Sequence, residues 1–332
     1  MKIFFARTSL KRRPCAAALA GCGLFLILSP LFSPAPLHAR ARFAGEFLTL
    51  GAGARALGMG SAFVAVSDDA TAGVWNPAGL TRIRRREAHA QHAEQFGGLV
   101  NHDQFGFAET LKDIGSVGFS LLRVGVDNIP ISILEHPDQP IGPDNRPVRV
   151  GNVTTADYAI HLSYARALSK ALALGGSVKL IRRKTGSGTG FGYGLDAGIL
   201  YDARPGLTLG LVVRDLTQTR ITYSSAATDR ITPTALIGAA YTSRAHILRG
   251  RFTGSVSAGL GRDAVSIEEG RRFNAGVEYA FREIVALRLG AEEGHFTAGA
   301  GVRFYRRFGV DLAFLSRSDL ENSYRISATA QF

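Results

Sequence analysis

From about residue 87 to the C-terminus, apolar and polar positions alternate with a period of two. Strands with one apolar and one polar face produce that pattern. In the last segment Tyr324, Ile326, Ala328, Ala330 and Phe332 share one face, and Arg325, Ser327, Thr329 and Gln331 the other. The same split separates Phe273, Ala275, Val277, Tyr279 and Phe281 from Asn274, Gly276, Glu278 and Arg282. It recurs with Phe191, Tyr193, Leu195, Ala197, Ile199 and Tyr201 against Gly192, Gly194, Asp196 and Gly198. A soluble β-sandwich alternates as well, so the period alone leaves two architectures open.

Three further features choose between them. Aromatics stand at the ends of the apolar rows (Tyr158 and Tyr164, Phe191 and Tyr201, Phe296 and Phe304, Tyr324 and Phe332), as in the girdles of outer-membrane barrels. The opposite rows carry ions: Lys179, Asp196, Arg214, Glu278, Arg288, Arg303, Asp311 and Arg325. A wet lumen tolerates these where a dry sandwich core would not. Connections also alternate in length. Short ones at 167–170, 203–206, 282–283 and 306–307 fall between longer ones at 128–153, 185–190, 217–233 and 262–271. The expectation is an all-β, transmembrane antiparallel barrel of about fourteen strands over residues 87–332, with the eight charges facing inward and meeting across strand pairs.

Residues 42–86 break the pattern. Gly51 to Leu80 reads GAGARALGMGSAFVAVSDDATAGVWNPAGL, a turn-rich stretch with the chain's only tryptophan. Gly58, Gly60 and Gly79 favour turns or close backbone approach. Ser67 or Asp68 is placed to cap a helix over 69–75, which Pro77 then stops at Asn76. A small N-terminal plug or hatch is expected, with Trp75 packed inside the barrel and Arg55 and Asp69 available to lumen charges. A loose G-x-G-x-x-A match at 51–56 has no βαβ unit around it to make a dinucleotide site.

Residues 1–41 read as an export signal: Lys2, Arg7 and Lys11 to Arg13 precede an apolar run at 16–32 and the small-x-small site Ala39-Arg40-Ala41. A lipobox-like Leu19-Ala20-Gly21-Cys22 is followed by more apolar residues, against lipidation at Cys22. Both cysteines, Cys15 and Cys22, fall in this signal, so the mature chain has no thiol. The formal charge is +12, and six of those positives lie in the signal, leaving about +6. The remaining arginines are scattered along the sequence, without the basic stripe and stacking aromatics of a nucleic-acid binder.

The stretch GARALGMGSAFVAVSDDATAGVWNPAGL resembles the N-terminal signature of the PorV/PorQ family of outer-membrane barrels, relatives of the FadL-type transporters, and the likeness continues through the strand pattern to Phe332. One departure is Ser61, where the family pattern has glycine. The resemblance points to Arg55, Gly58, Met59, Gly60, Asp68, Asp69, Trp75, Asn76, Pro77 and Gly79 as the plug motif. Phe332, preceded by alternating apolar residues, looks like the C-terminal signal read by the barrel assembly machinery. The PorV/PorQ resemblance implies an outer-membrane protein in contact with lipid that serves as a docking or shuttle component for secreted cargo, beside a larger translocon of the type IX secretion kind. The wider FadL likeness implies instead a channel for hydrophobic small molecules with the plug as hatch. Catalysis finds no motif: no nucleophile elbow or HExxH occurs, and His89 and His92 fall on opposite strand faces, so neither an enzyme nor a cofactor or metal site is expected.

Overall fold

The structure, a computed structural model, describes residues 45–186, 188–245, 250–260, 271–317 and 322–332. Residues 1–41, read from the sequence as an export signal with Cys15 and Cys22, and most of the 262–271 connection lie outside the described residues. Among the described residues the helices are short, the longest a 3-10 turn over Pro77–Arg82, and none is long and apolar enough to cross a membrane. The strands are β1 (Glu87–Gln95), β2 (Val100–Leu111), β3 (Gly115–Leu134), β4 (Pro147–Ala167), β5 (Leu172–Thr185), β6 (Gly188–Arg204), β7 (Leu207–Arg214), β8 (Thr219–Tyr223) and β9 (Thr228–Ile231). They continue with β10 (Thr234–Ala245), β11 (Gly250–Leu260), β12 (Arg271–Phe281), β13 (Val285–Glu292), β14 (His295–Phe304), β15 (Phe308–Leu315) and β16 (Ser323–Gln331).

Every pairing is antiparallel. β7 pairs with β10, and β16 returns to β1 with Glu87 opposite Gln331 and Gln91 opposite Ser327. Fourteen strands thus close a ring, beginning at Glu87. Closure matters physically, because an open edge would leave unpaired amide groups that hydrocarbon cannot satisfy. The β8–β9 hairpin hangs from β6, where β8 pairs with residues 190–193 beyond the end of β7.

Two connections differ from the sequence expectation. The 128–153 stretch is mostly strand: β3 and β4 stay paired out to Leu134 and Pro147, and bulges between Val126 and Ile129 and between Ile131 and Ser132 absorb the irregularity. The 217–233 stretch folds into β8–β9 instead of remaining loop. Length does not alternate strictly either, since the 185–188 and 292–295 turns sit tight among the long connections. The end carrying the turns at 111–115, 167–172, 204–207, 281–285 and 304–308, together with the start of β1 and the end of β16, is the short-turn end.

Outward positions are apolar and exposed, among them Leu180, Leu195, Ile237, Val277, Leu287, Val310, Leu312 and Ile326. The inward neighbours Lys179, Asp196, Ser255, Glu278, Arg288, Asp311, Arg325 and Ser327 are buried. A continuous apolar exterior of this extent belongs against lipid. Single cysteines introduced at Val277, Leu287 or Val310 of the mature chain and labelled with a fluorophore are expected to be quenched by lipid-phase quenchers. Labels at Ser255, Thr297 or Ser327 should be protected, and the reverse pattern would mean a register one residue out.

A charged interior around an inner segment

The segment from Gly51 to Ile83 lies inside the ring of strands. Its own core is Leu57, Met59, Phe63, Val66 and Trp75, and nearly all of its residues are buried. What admits it is an absence of side chains on the wall. Gly106, Gly118, Gly175, Gly198, Gly210, Gly238, Gly276, Gly290 and Gly299 stand on nine different strands, and at each a Cβ would press on residues 58–80. At Gly210, for example, it would come 2.7 Å from the Val64 carbonyl oxygen. The glycine-rich composition is thus explained by contact between backbones.

Within the segment the motif residues divide by task. Gly60 takes φ +61°, and a Cβ there would meet the Ala275 and Ala291 carbonyls at 2.7 and 2.6 Å. Gly58 and Gly79 adopt ordinary φ and serve close approach instead, Gly58 against Gly299 and Gly79 against Ser67. Met59 is fully buried. Trp75 is 6% exposed, donates Nε1–H to the Ala52 carbonyl at 2.7 Å and packs edge-on against Phe63. Asn76 is extended, as a residue before proline prefers, and its amide joins the Val64 and Ile199 carbonyls at 2.9 and 3.1 Å while its Oδ1 accepts from the Ala78 amide. Pro77 then opens the 3-10 turn.

Ser61, the departure from the family pattern, has φ +58°. That left-handed backbone is what glycine would adopt without cost, while a side chain there costs about 1–2 kcal/mol. The Ser61 hydroxyl donates to Glu292 at 2.5 Å and so offsets the strain with a charge-assisted bond to the wall.

The helix-cap expectation does not hold. The helix covers only Ala72–Trp75, and no side chain caps it. The Ser67 hydroxyl donates to the Phe63 carbonyl, and both Asp68 and Asp69 are drawn to Arg55. Asp69 also accepts from the Thr71 amide and hydroxyl. Burial works against charge on Asp69, but Arg55 and these hydrogen bonds outweigh it and hold the carboxyl below its usual range.

Arg55 joins the segment to the barrel. It pairs with Asp68 at 2.5 Å, Asp69 at 3.2 Å and, from Nε and Nη2, with both oxygens of Glu278 on β12 at 2.9 and 3.0 Å. Glu278 in turn accepts from Arg288 at 2.7 Å; Arg288 donates to Asp311 at 2.8 Å, and Arg303 approaches Asp311 at 3.5 Å. On the opposite wall Lys179 bridges Asp196 at 3.3 Å and Asp215 at 2.6 Å. Asp215, absent from the sequence expectation, follows Arg214 in the turn after β7 and was hidden because no strand period marks it. Arg214 does not join the pair: its guanidinium donates to the Val74 carbonyl at 3.1 Å and lies over Trp75. Arg325 has no carboxylate partner among the described residues; with its side-chain amide turned, Gln95 accepts from it. Phe332 ends the chain with its ring exposed and its amide donating to the Arg86 carbonyl at 2.9 Å.

The lumen is layered. Towards the long-loop side Phe47 meets Leu122, Ala159, Ile181, Ile221 and Ile231, with Leu48, Val124 and Tyr223 against them. Below the segment, at the short-turn end, a cavity of about 540 Å³ is lined by Arg55, Asp69, Glu278, Arg288, Arg303 and Asp311 on its floor. Arg84, Arg85, Arg251, Arg306 and Arg307 line its mouth. Arginines that look scattered in sequence are therefore gathered in space.

No family model matches the chain, and no curated protein sequence matches it. Solved structures do match its fold. A toluene transporter of Ralstonia pickettii, TbuX, superposes with a TM-score of 0.54 at 11% identity, covering 85% of this chain and 98% of that one. The CymD monoaromatic hydrocarbon channel gives 0.54 at 12% with the same coverage. The Pseudomonas putida toluene transporter TodX gives 0.51 at 14%, over 84% of this chain and 96% of that one. In fold this chain is a closed, antiparallel, fourteen-stranded barrel like those transporters and channels. The PorV/PorQ resemblance gains no family match beside it.

Removing the Glu278 carboxylate takes from Arg55 its bidentate partner and leaves Arg288 with Asp311 alone, both deep inside the barrel. Glu278→Ala is expected to cost about 3–5 kcal/mol, read as a lower unfolding midpoint in denaturant. Glu94→Ala, at an exposed position of β1, should leave that midpoint within error.

Proposed function

We propose that the protein is an outer-membrane channel for hydrophobic small molecules, with the Gly51–Ile83 segment as its plug. The observation that carries this reading is the buried apolar cluster of Phe47, Leu122, Ile181, Ile221 and Ile231, held inside a barrel of the same fold as channels named for toluene and monoaromatic hydrocarbons. An apolar compound that parts this cluster and packs against it gains roughly 25 cal/mol for each Å² removed from water. The charged layer beneath offers it no comparable contact, so passage past the plug ends in release. Export of the chain, removal of residues 1–41 and insertion in the outer membrane belong to this proposal.

Two tests address it. Leu122→Gln with Ile181→Gln should weaken binding of a fluorescent apolar probe at least tenfold without loss of barrel content; unchanged probe affinity sinks this role for the cluster. Replacing Asn76-Pro77 with Ala-Ala should loosen the segment, raise single-channel conductance and alter uptake of the probe. Parental conductance in that variant, with the fluorescence of Trp75 showing the ring newly exposed, means the segment is no gate.

A second reading has one observation in its favour. On the β3–β4 hairpin Ile131, Ile133, Val148 and Val150 are exposed, and this hairpin reaches beyond the other strands at the long-loop end. Such a face suits docking of exported proteins in the manner of a type IX secretion component. Charged substitutions at Ile133 and Val148 would abolish capture of cargo if docking is the function and leave probe uptake alone if conduction is.

Phe332 is proposed as the assembly signal. Deleting it should lower the yield of heat-modifiable folded barrel severalfold, and equal yield removes that role.

A further inference from the structure

The short-turn mouth of the lumen has a chemistry that the conduit reading does not use. Its floor is balanced by the Arg55, Glu278, Arg288 and Asp311 pairs, but its edge is not. Arg84, Arg85, Arg251, Arg306 and Arg307 line the cavity and make no ion pair among the described residues; of the two lining carboxylates near them, Glu87 is buried and accepts from the Ala70 amide and Gln331, which leaves Glu283. Arg82 and Arg86 beside them are already matched, to Asp202 and Glu109. Two further groups of the lining are unsatisfied: Nε2 of His89, a side chain 5% exposed, and Nε of Arg251 have no hydrogen-bond partner. A concave site with this many unmatched guanidinium donors is built for carboxylates.

The arrangement also limits what the anion is. Arg84 and Arg85 lead into β1, Arg306 and Arg307 sit between β14 and β15, and Arg251 is on β11. From β1 round to β11 is six strand spacings, an arc of roughly 29 Å at about 4.8 Å each. One carboxylate or phosphate cannot bridge that distance, whereas about nine residues of extended chain can, at roughly 3.3 Å per residue. Bilayer headgroups are on the wrong side of the wall. In the 304–308 turn the side chains turned out are Phe304 and Tyr305, 50% and 92% exposed, while Arg306 and Arg307 border the cavity. Short turns mark the periplasmic face of barrels of this kind.

We propose that this mouth is a docking cradle for an acidic, extended segment of a soluble protein on the short-turn side of the membrane. The cradle depends on the barrel and its orientation, and stands whether or not the lumen conducts apolar compounds. Charge complementarity of this kind steers association and weakens with salt.

The test uses the mature protein in neutral-lipid nanodiscs and a fluorescent ten-residue peptide of alternating Glu and Gly, followed by anisotropy. Its Gln–Gly counterpart, inorganic phosphate at matched ionic strength and nanodiscs containing phosphatidylglycerol complete the comparison. The acidic peptide should bind at least tenfold more tightly than the Gln–Gly one, with affinity falling as salt rises. Arg306→Glu with Arg307→Glu, and separately Arg84→Glu with Arg85→Glu, should each lose tenfold or more while the barrel keeps its heat-modifiable migration. Arg204→Glu, a short-turn arginine outside the cavity, should bind as the parent does. Equal binding of the two peptides, or retention of binding in both double variants, overturns the cradle. Displacement by phosphate alone overturns the extended occupant in favour of a small oxyanion, and loss of binding in phosphatidylglycerol nanodiscs overturns it in favour of lipid.

Discussion

The guanidinium of Arg55 is the point at which two parts of the chain with different patterns become one structure. It is buried, so its charge must be answered, and the answers come from both sides: Asp68 and Asp69 from its own segment, Glu278 from the barrel wall. Burial disfavours its charged form, yet the surrounding carboxylates raise its pKa well above the ordinary arginine value. Glu278 is shared with Arg288 and so, through Asp311, reaches Arg303. The wall's share of this network, Glu278 and Asp311 with Arg288 and Arg303, balances by itself, while the segment brings two carboxylates for its one arginine. Arg55 ties the two shares together by reaching Glu278.

Much of the barrel was legible because a period of two is a strong signal when one face meets hydrocarbon. The inward phase of Lys179, Asp196, Glu278, Arg288 and Asp311 follows from counting alone, and so does the start of the first strand at Glu87. What failed to show was whatever depends on backbone meeting backbone or on residues distant in sequence. The long β3–β4 pairing was concealed by prolines, because bulges that admit proline also break the alternation. Asp68 reads as a helix cap because a cap is a local possibility. Its real partner Arg55 is thirteen residues earlier and positioned by the fold.

Ser61 shows how a resemblance and a structure inform each other. A pattern that expects glycine at this position is accounted for by the left-handed backbone found there. A hydroxyl that reaches Glu292 shows why serine can stand in its place. Glu292 is itself engaged by Arg317, so the substitution is absorbed by a charge pair already present on the wall.

The belt of wall glycines inverts the usual relation between size and tolerance. In most cores the bulky residue is the one that cannot be exchanged, and small ones are forgiving. Here a single added methyl at Gly210, Gly276 or Gly290 collides with the main chain of an element more than a hundred residues away, so the positions that contribute no side chain are the least replaceable. The belt also fixes the bore. With the segment absent, the ring would have its widest cross-section at the level where backbone is bare, a shape set by omission and recorded in the composition of the strands.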